Sequence, residues 1–311
     1  IFALQDEISE AIVKALRLKL LPEEKKAIEQ RGTTNLQAYN LYLMARQRYA
    51  TGQMSDARRS DTVIRLCRGA IELDPNYARA WALMATAQRH RMYATGQGDN
   101  GSVAAARAIE LDANLAEAHA AKAGVHAAAG DYGAAEEELA IAMRLDPDSV
   151  DVIQEAARLH FMLKRYASAA ASWDRYATLV ETDIASGGLL ITCYTALGDQ
   201  ANLERVARRT MVRAENAVAT DADNGSAMAT IFSCLLCLGE PERAKDWARR
   251  AVLIDPGNLG TRYNLACDFV VAIREHDMAI DLLGLVVDPA AAANRGEDCS
   301  GRIPSLDARP S

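Results

Sequence analysis

The 311-residue chain is poor in aromatics, which make up 5% of it, and carries only eight prolines. It has no run approaching the roughly 18 uninterrupted apolar residues of a membrane helix, so membrane insertion is not expected. The first residues do not read as a signal peptide, because Asp6, Glu7 and Glu10 interrupt any apolar core. Positive charge is in deficit: 35 Lys and Arg stand against 42 Asp and Glu, giving a net charge of −7. Phosphate binding needs clustered cations, so this balance argues against nucleic acid or an anionic membrane as the main partner. Arg205, Arg208, Arg209 and Arg213 form a local basic run that reads as a solvated helix face. A disulfide framework is also missing. Of six cysteines, all but Cys299 fall at scattered spacings inside helical patterns, as small buried residues of a reducing, cytoplasmic protein do. The chain opens on Ile1, which reads as a piece of a longer protein.

What the chain does have is alanine-rich helical pattern with a fixed beat. Gly130, Lys164 and Gly198 lie 34 residues apart, as do Ala135 and Ala169, and similar turns end at Pro147 and Pro256. If Ala116 is position one, Ala123 is the eighth, Ala135 the twentieth, Ala142 the twenty-seventh and Pro147 the thirty-second. Positions eight and twenty are where the two helices of a repeat cross, so a small side chain is required there. The proline falls between helices, where its missing N–H costs little. Positions four, seven, eleven and twenty-four carry larger residues that fill the space between repeats. This period and pattern are those of tetratricopeptide (TPR) repeats. The expected fold is an all-α TPR solenoid, a right-handed superhelix of about seven helix-turn-helix repeats.

The pattern predicts two helices within 1–31, an array over 32–287 and a disordered tail over 288–311, rich in Ala, Pro, Gly, Ser, Asp and Arg. Within the array, repeat one has about six extra residues in its turn and repeat two has an insertion of about four. From Gly198 to Gly239 is 41 residues, seven over the period, which two extra helical turns absorb. Repeat five is the weakest, and repeat seven has one extra residue. An array that stops at Val287 without a capping helix exposes a face for a partner, including a second copy of the chain.

Most local motifs yield to a plain reading. Gly96 to Gly101 matches GxGxxG, but the residues before it, Trp81 to Tyr93, are helical rather than a strand, so these are turn glycines. Cys234 and Cys237 form a CxxC without a second ligand pair, and packing is the expected role. Asp221 to Gly225 departs from calcium-loop spacing. His119, His126 and His160 sit where they could meet between repeats three and four, which gives a metal- or proton-responsive array as one alternative, with hydrogen-bonded core histidines the plainer reading. No catalytic, metal or cofactor residues are assigned.

The inner groove is expected from positions two, five, nine, twelve and thirteen of each first helix. Its candidate partner-binding residues are Gln154, Arg158, Phe161 and Met162 in repeat four, Thr192 and Thr195 in five, Ser233 in six, and Tyr263 and Asn264 in seven. Repeat four adds Asp151 and repeat three adds Ala120, Gly124 and Ala127. Only Arg158 and Asn264 suit a carboxylate clamp, so the groove reads as apolar and small-residue, fitted to a protein or peptide partner that includes the upstream part of the same chain.

The opening Ile1 to Ile8, Ala15 to Leu20 and Thr33 to Leu43, with the insertion after Trp81 and the stretch Tyr263 to Cys267, resembles the junction of a TolB-like domain and a TPR array in modular bacterial signalling proteins. The resemblance covers about residues 1–287. It implies that 1–31 end a TolB-like domain and that the effector upstream is often a class III adenylate or guanylate cyclase. The metal-binding aspartates of such a cyclase have no counterpart here. The resemblance therefore implies a non-catalytic interaction and regulatory segment, the alternative being a cyclase fragment whose activity lies in a missing N-terminal domain.

Overall fold

The computed structural model describes residues 32–50, 57–274 and 276–287. The expected helices of 1–31, the turn extension of repeat one and the tail 288–311 lie outside the described residues. Within them the chain is all α-helical, with helices paired as TPR-type repeats. Helix α1 (Leu36–Ala50) packs on α2 (Ala57–Leu73), and α3 (Ala78–Thr95) on α4 (Ser102–Leu111). Helix α5 (Ala116–Ala128) packs on α6 (Tyr132–Leu145), and α7 (Val150–Met162) on α8 (Tyr166–Leu179). Then follow α9 (Ala185–Leu197), α10 (Gln200–Thr220), α11 (Gly225–Cys237) packed on α12 (Pro241–Ile254), and α13 (Leu259–Asp268). A π-helical turn, Phe269–Ile273, leads from α13 to α14 (His276–Val287). The chain divides into two compact units, one ending at Gly198 and one starting at Asp199. The division falls inside repeat five, where the sequence pattern is weakest.

The small-residue register holds. Ala45, Ala85, Ala123 and Ala157 at the eighth position, and Ala135, Ala169 and Ala244 at the twentieth, are all at most 1% exposed. Close helix crossing leaves no room for a longer side chain there. Repeat six breaks the rule with Phe232, which is fully buried and meets Phe269 with ring centroids 5.3 Å apart. Asp131, Asp199, Asn224 and Asn258 cap their helices by accepting from the backbone N–H three residues on.

The longest departure from the period that the described residues contain is absorbed in whole helical turns. Helix α10 has 21 residues where α8 and α12 have 14, a difference of seven or two turns. In repeat two α3 is lengthened to 18 residues and α4 shortened to 10. The glycines between them serve the turn: Gly96, Gly98 and Gly101 have φ of 70°, 96° and 87°. The one extra residue of repeat seven sits in the π turn, the usual structure of a single-residue insertion in a helix.

Gly130, Gly198 and Gly239 close their first helices with positive φ, and the equivalent Lys164 adopts φ 57° despite its Cβ. Relief of left-handed strain is worth about 1–2 kcal/mol, and glycine's extra freedom in the unfolded chain takes back about 0.5–1. Lys164→Gly is therefore expected to stabilise by roughly 0.5–1 kcal/mol, read as a higher urea midpoint at unchanged slope. A lower midpoint would contradict it.

Candidate functional site

Inner-face positions two, five, nine and twelve of the first four repeats converge on one surface. Repeat one contributes Tyr42, Arg46 and Tyr49, and repeat two Arg79, Thr86 and Arg89. Repeat three adds Glu117, Ala120 and Gly124, and repeat four Asp151, Gln154 and Arg158. The space left among them is about 20 Å³, room for about one water. This corrects the expectation of an apolar, small-residue groove with Arg158 isolated. Arg158 stands beside Arg89, because repeats one and two fill the same register with long cationic and aromatic side chains.

Three ion pairs cross this face, the loosest being Arg79 with Glu117 at 3.7 Å. Arg46 Nη1 donates to both carboxylate oxygens of Asp151, at 2.7 and 2.8 Å, and the Tyr49 hydroxyl donates to Gln154 Oε1 at 2.8 Å. The Asp151 charge raises the Arg46 pKa above its ordinary value. The two side chains stay 32% and 21% exposed, so the pair is worth on the order of 1 kcal/mol. Deeper, Arg89 meets Glu155 at 2.8 Å with side chains only 4% and 7% exposed, and Arg158 approaches the same carboxylate at 3.6 Å. Burial, with Arg89 alongside, pushes Arg158 down to about 10. Gly124 makes this crossing possible: a Cβ there would lie 2.7 Å from Arg89 Nε and 2.8 Å from Glu155 Oε1. Those two atoms have no hydrogen-bond partner, so the buried pair is tightly packed but incompletely satisfied.

His90, at the thirteenth position of repeat two, stacks on Tyr49 with centroids 5.8 Å apart, and neither ring nitrogen has a partner. Burial holds its pKa well below the ordinary value, and the charges of Arg89, Arg158 and Arg59 act in the same direction. Burial and Arg165 likewise lower His160. For a base whose folded pKa is depressed, the unfolded chain takes up the extra proton as pH falls through its own value of about 6.5. The stabilisation from neutral His90 is complete above that pH and lost progressively below it. His90→Phe keeps the stack and is expected to lessen the fall in melting temperature between pH 7 and 5; an identical pH slope would refute this.

The three candidate histidines have separate surroundings. His119 contacts Glu138 at 2.7 Å and the Ala113 carbonyl at 3.1 Å, and His126 lies 3.8 Å from Asp131. The Nδ1 atom of His160 is buried without a hydrogen-bond partner. Among the described residues no group of three or more His, Cys, Asp or Glu is placed to hold a metal. Cys234 and Cys237 lie on α11, and burial pushes their thiols up to about 12 and about 11.

The remaining candidates are more dispersed. Phe161 packs edge-on against Tyr166 at 5.9 Å, while Met162, Thr192 and Thr195 are exposed. In the second unit Ser233 donates to Asp268 at 2.8 Å, and Tyr263 and Asn264 are exposed on α13. Of the nine, the structure brings only Gln154 and Arg158 into the polar cluster.

No known family profile matches the chain. It is 38% identical over 82 residues to a Rhizobium meliloti (strain 1021) protein named "Putative adenylate cyclase 3", an alignment spanning 26% of this chain and 14% of that protein. The human IFIT1 dimer with m7Gppp-AAAA superposes with a TM-score of 0.58 at 13% identity, over 88% of this chain and 61% of IFIT1. TTC0263, a thermophilic TPR protein of Thermus thermophilus, superposes at 0.45 and 15% identity, over 64% of this chain and 99% of that one. The IFIT1 likeness shows a shared helical-repeat fold. No helix among the described residues is long and apolar enough to cross a membrane.

Proposed function

We propose that this chain is a non-catalytic protein-interaction segment that regulates a larger signalling protein whose effector is a class III nucleotide cyclase. The similarity to the Rhizobium protein carries the cyclase connection. The inner face of repeats one to four supplies the recognition surface, since Arg46, Arg79 and Gln154 line it and a partner's charged or amide groups can exchange for their contacts with Asp151, Glu117 and Tyr49. The acidic balance of the chain favours a protein segment, upstream domains of the same protein included, over nucleic acid. In the intact parent, Arg46→Ala and Gln154→Ala are expected to change the cyclase rate several-fold, while the 311-residue chain alone turns over no ATP or GTP. Turnover by the isolated chain, or an unchanged rate in every inner-face variant that folds, would overturn the reading.

A further inference from the structure

The fourth position of the first helices is buried or half-buried. It is Leu41, Trp81, Ile153 and Met228 in repeats one, two, four and six, and His119 in repeat three, where Glu138 satisfies it. In repeat seven, counted from Ala266 at the eighth position, it is Arg262. A cation thus stands where the array elsewhere uses mainly apolar side chains. It is 5% exposed. Its Nε donates to the Leu282 carbonyl at 2.8 Å and one Nη to the Asp281 carbonyl at 3.1 Å, both on α14. No carboxylate among the described residues pairs with it, and burial lowers its pKa. A buried charge without a counter-ion is costly, and breaks in a local rule of this kind are expected at functional or strained sites.

Arg262 also lines a cleft of about 320 Å³ whose remaining wall is mostly apolar, from Ala248, Val252 and Leu253 on α12 to Phe269, Met278 and Leu282. The other charged groups there are Arg249, already paired with Asp246 at 2.8 Å, and the exposed Asp281. The volume is at the lower end for small-molecule sites and equals roughly ten water-sized groups. A guanidinium has five N–H donors, so two carbonyl bonds leave others able to meet a carboxylate.

We propose that this cleft binds an amphipathic carboxylate, a medium-chain fatty acid, with its chain against Val252, Phe269, Met278 and Leu282 and its carboxylate on Arg262. The cation decides between occupants. An apolar helix from a second copy would cover the cleft but leave Arg262 uncompensated, whereas a carboxylate with a hydrocarbon tail matches both the charge and the wall.

The test is calorimetric titration of the full 311-residue chain with decanoate below its micelle concentration, beside decan-1-ol and decyltrimethylammonium. One equivalent of decanoate is expected to bind, at least tenfold tighter than decanol, with no binding of the cation. Arg262→Met should reduce decanoate affinity to that of decanol without lowering the melting temperature, because an apolar side chain then replaces a buried charge. Val252→Trp should fill the cleft and abolish both. If Arg262→Met does not fold, the carboxyl signal of decanoate labelled with carbon-13 at C1 decides on the unaltered chain: bound to Arg262 it titrates below the free acid. No binding by folded chain, equal affinity for decanol, full affinity in Arg262→Met, or a bound carboxyl titrating like the free acid would each overturn the proposal. So would a dimer that decanoate does not dissociate, or binding that appears only after residues 288–311 are removed, since these give the cleft to a second copy or to the chain's own end.

Discussion

Gly101→Ala is expected to destabilise the first unit by about 3–4 kcal/mol. The new Cβ would sit 2.3 Å from the Ala85 carbonyl oxygen and 3.0 Å from its carbon. These are backbone atoms in the middle of α3, which cannot rotate away as a side chain would, so α3 and α4 must separate. To that is added the strain of a non-glycine residue at φ 87°, about 1–2 kcal/mol. Gly96 provides the control. It also has positive φ, 70°, but a Cβ there meets nothing within 4 Å, so Gly96→Ala should cost only the strain. Equal losses in the two variants, measured by urea unfolding, would show that the close approach at Ala85 does not govern the turn.

The second large effect is expected at Glu155. Glu155→Gln keeps the shape of the side chain but leaves Arg89 and Arg158 buried without their carboxylate, and breaking such a pair costs about 3–5 kcal/mol. Asp151→Asn removes an equally short contact at the mouth of the same surface, yet should cost on the order of 1 kcal/mol, because Arg46 can turn to water. Similar costs for Glu155→Gln and Asp151→Asn, followed by thermal unfolding, would mean that burial does not separate the two pairs.

Much of this architecture was legible in the sequence, and for identifiable reasons. A small residue is required wherever two helices cross, so the alanines at positions eight and twenty report the register directly. An insertion must preserve that register, so the seven extra residues of repeat five could be read as two turns, and α10 has them. The inner face was legible only in part. The register that places Gln154 and Arg158 on it also places Arg46, Tyr49, Arg79 and Arg89 there, and counting repeats one and two at the same positions would have found the cluster. The ion pairs themselves were not legible: Arg46 and Asp151 are 105 residues apart, and nothing local links them.

By itself, then, the sequence determined the helical period, the crossing residues and the turn glycines, which follow from contacts within one repeat or between its two helices, and its composition alone excluded a long apolar run. Which charges face one another was decided by tertiary structure, because it depends on how successive repeats are stacked. The same holds for Arg262, whose position in the period is plain but whose burial against α14 and beside an apolar cleft follows only from packing.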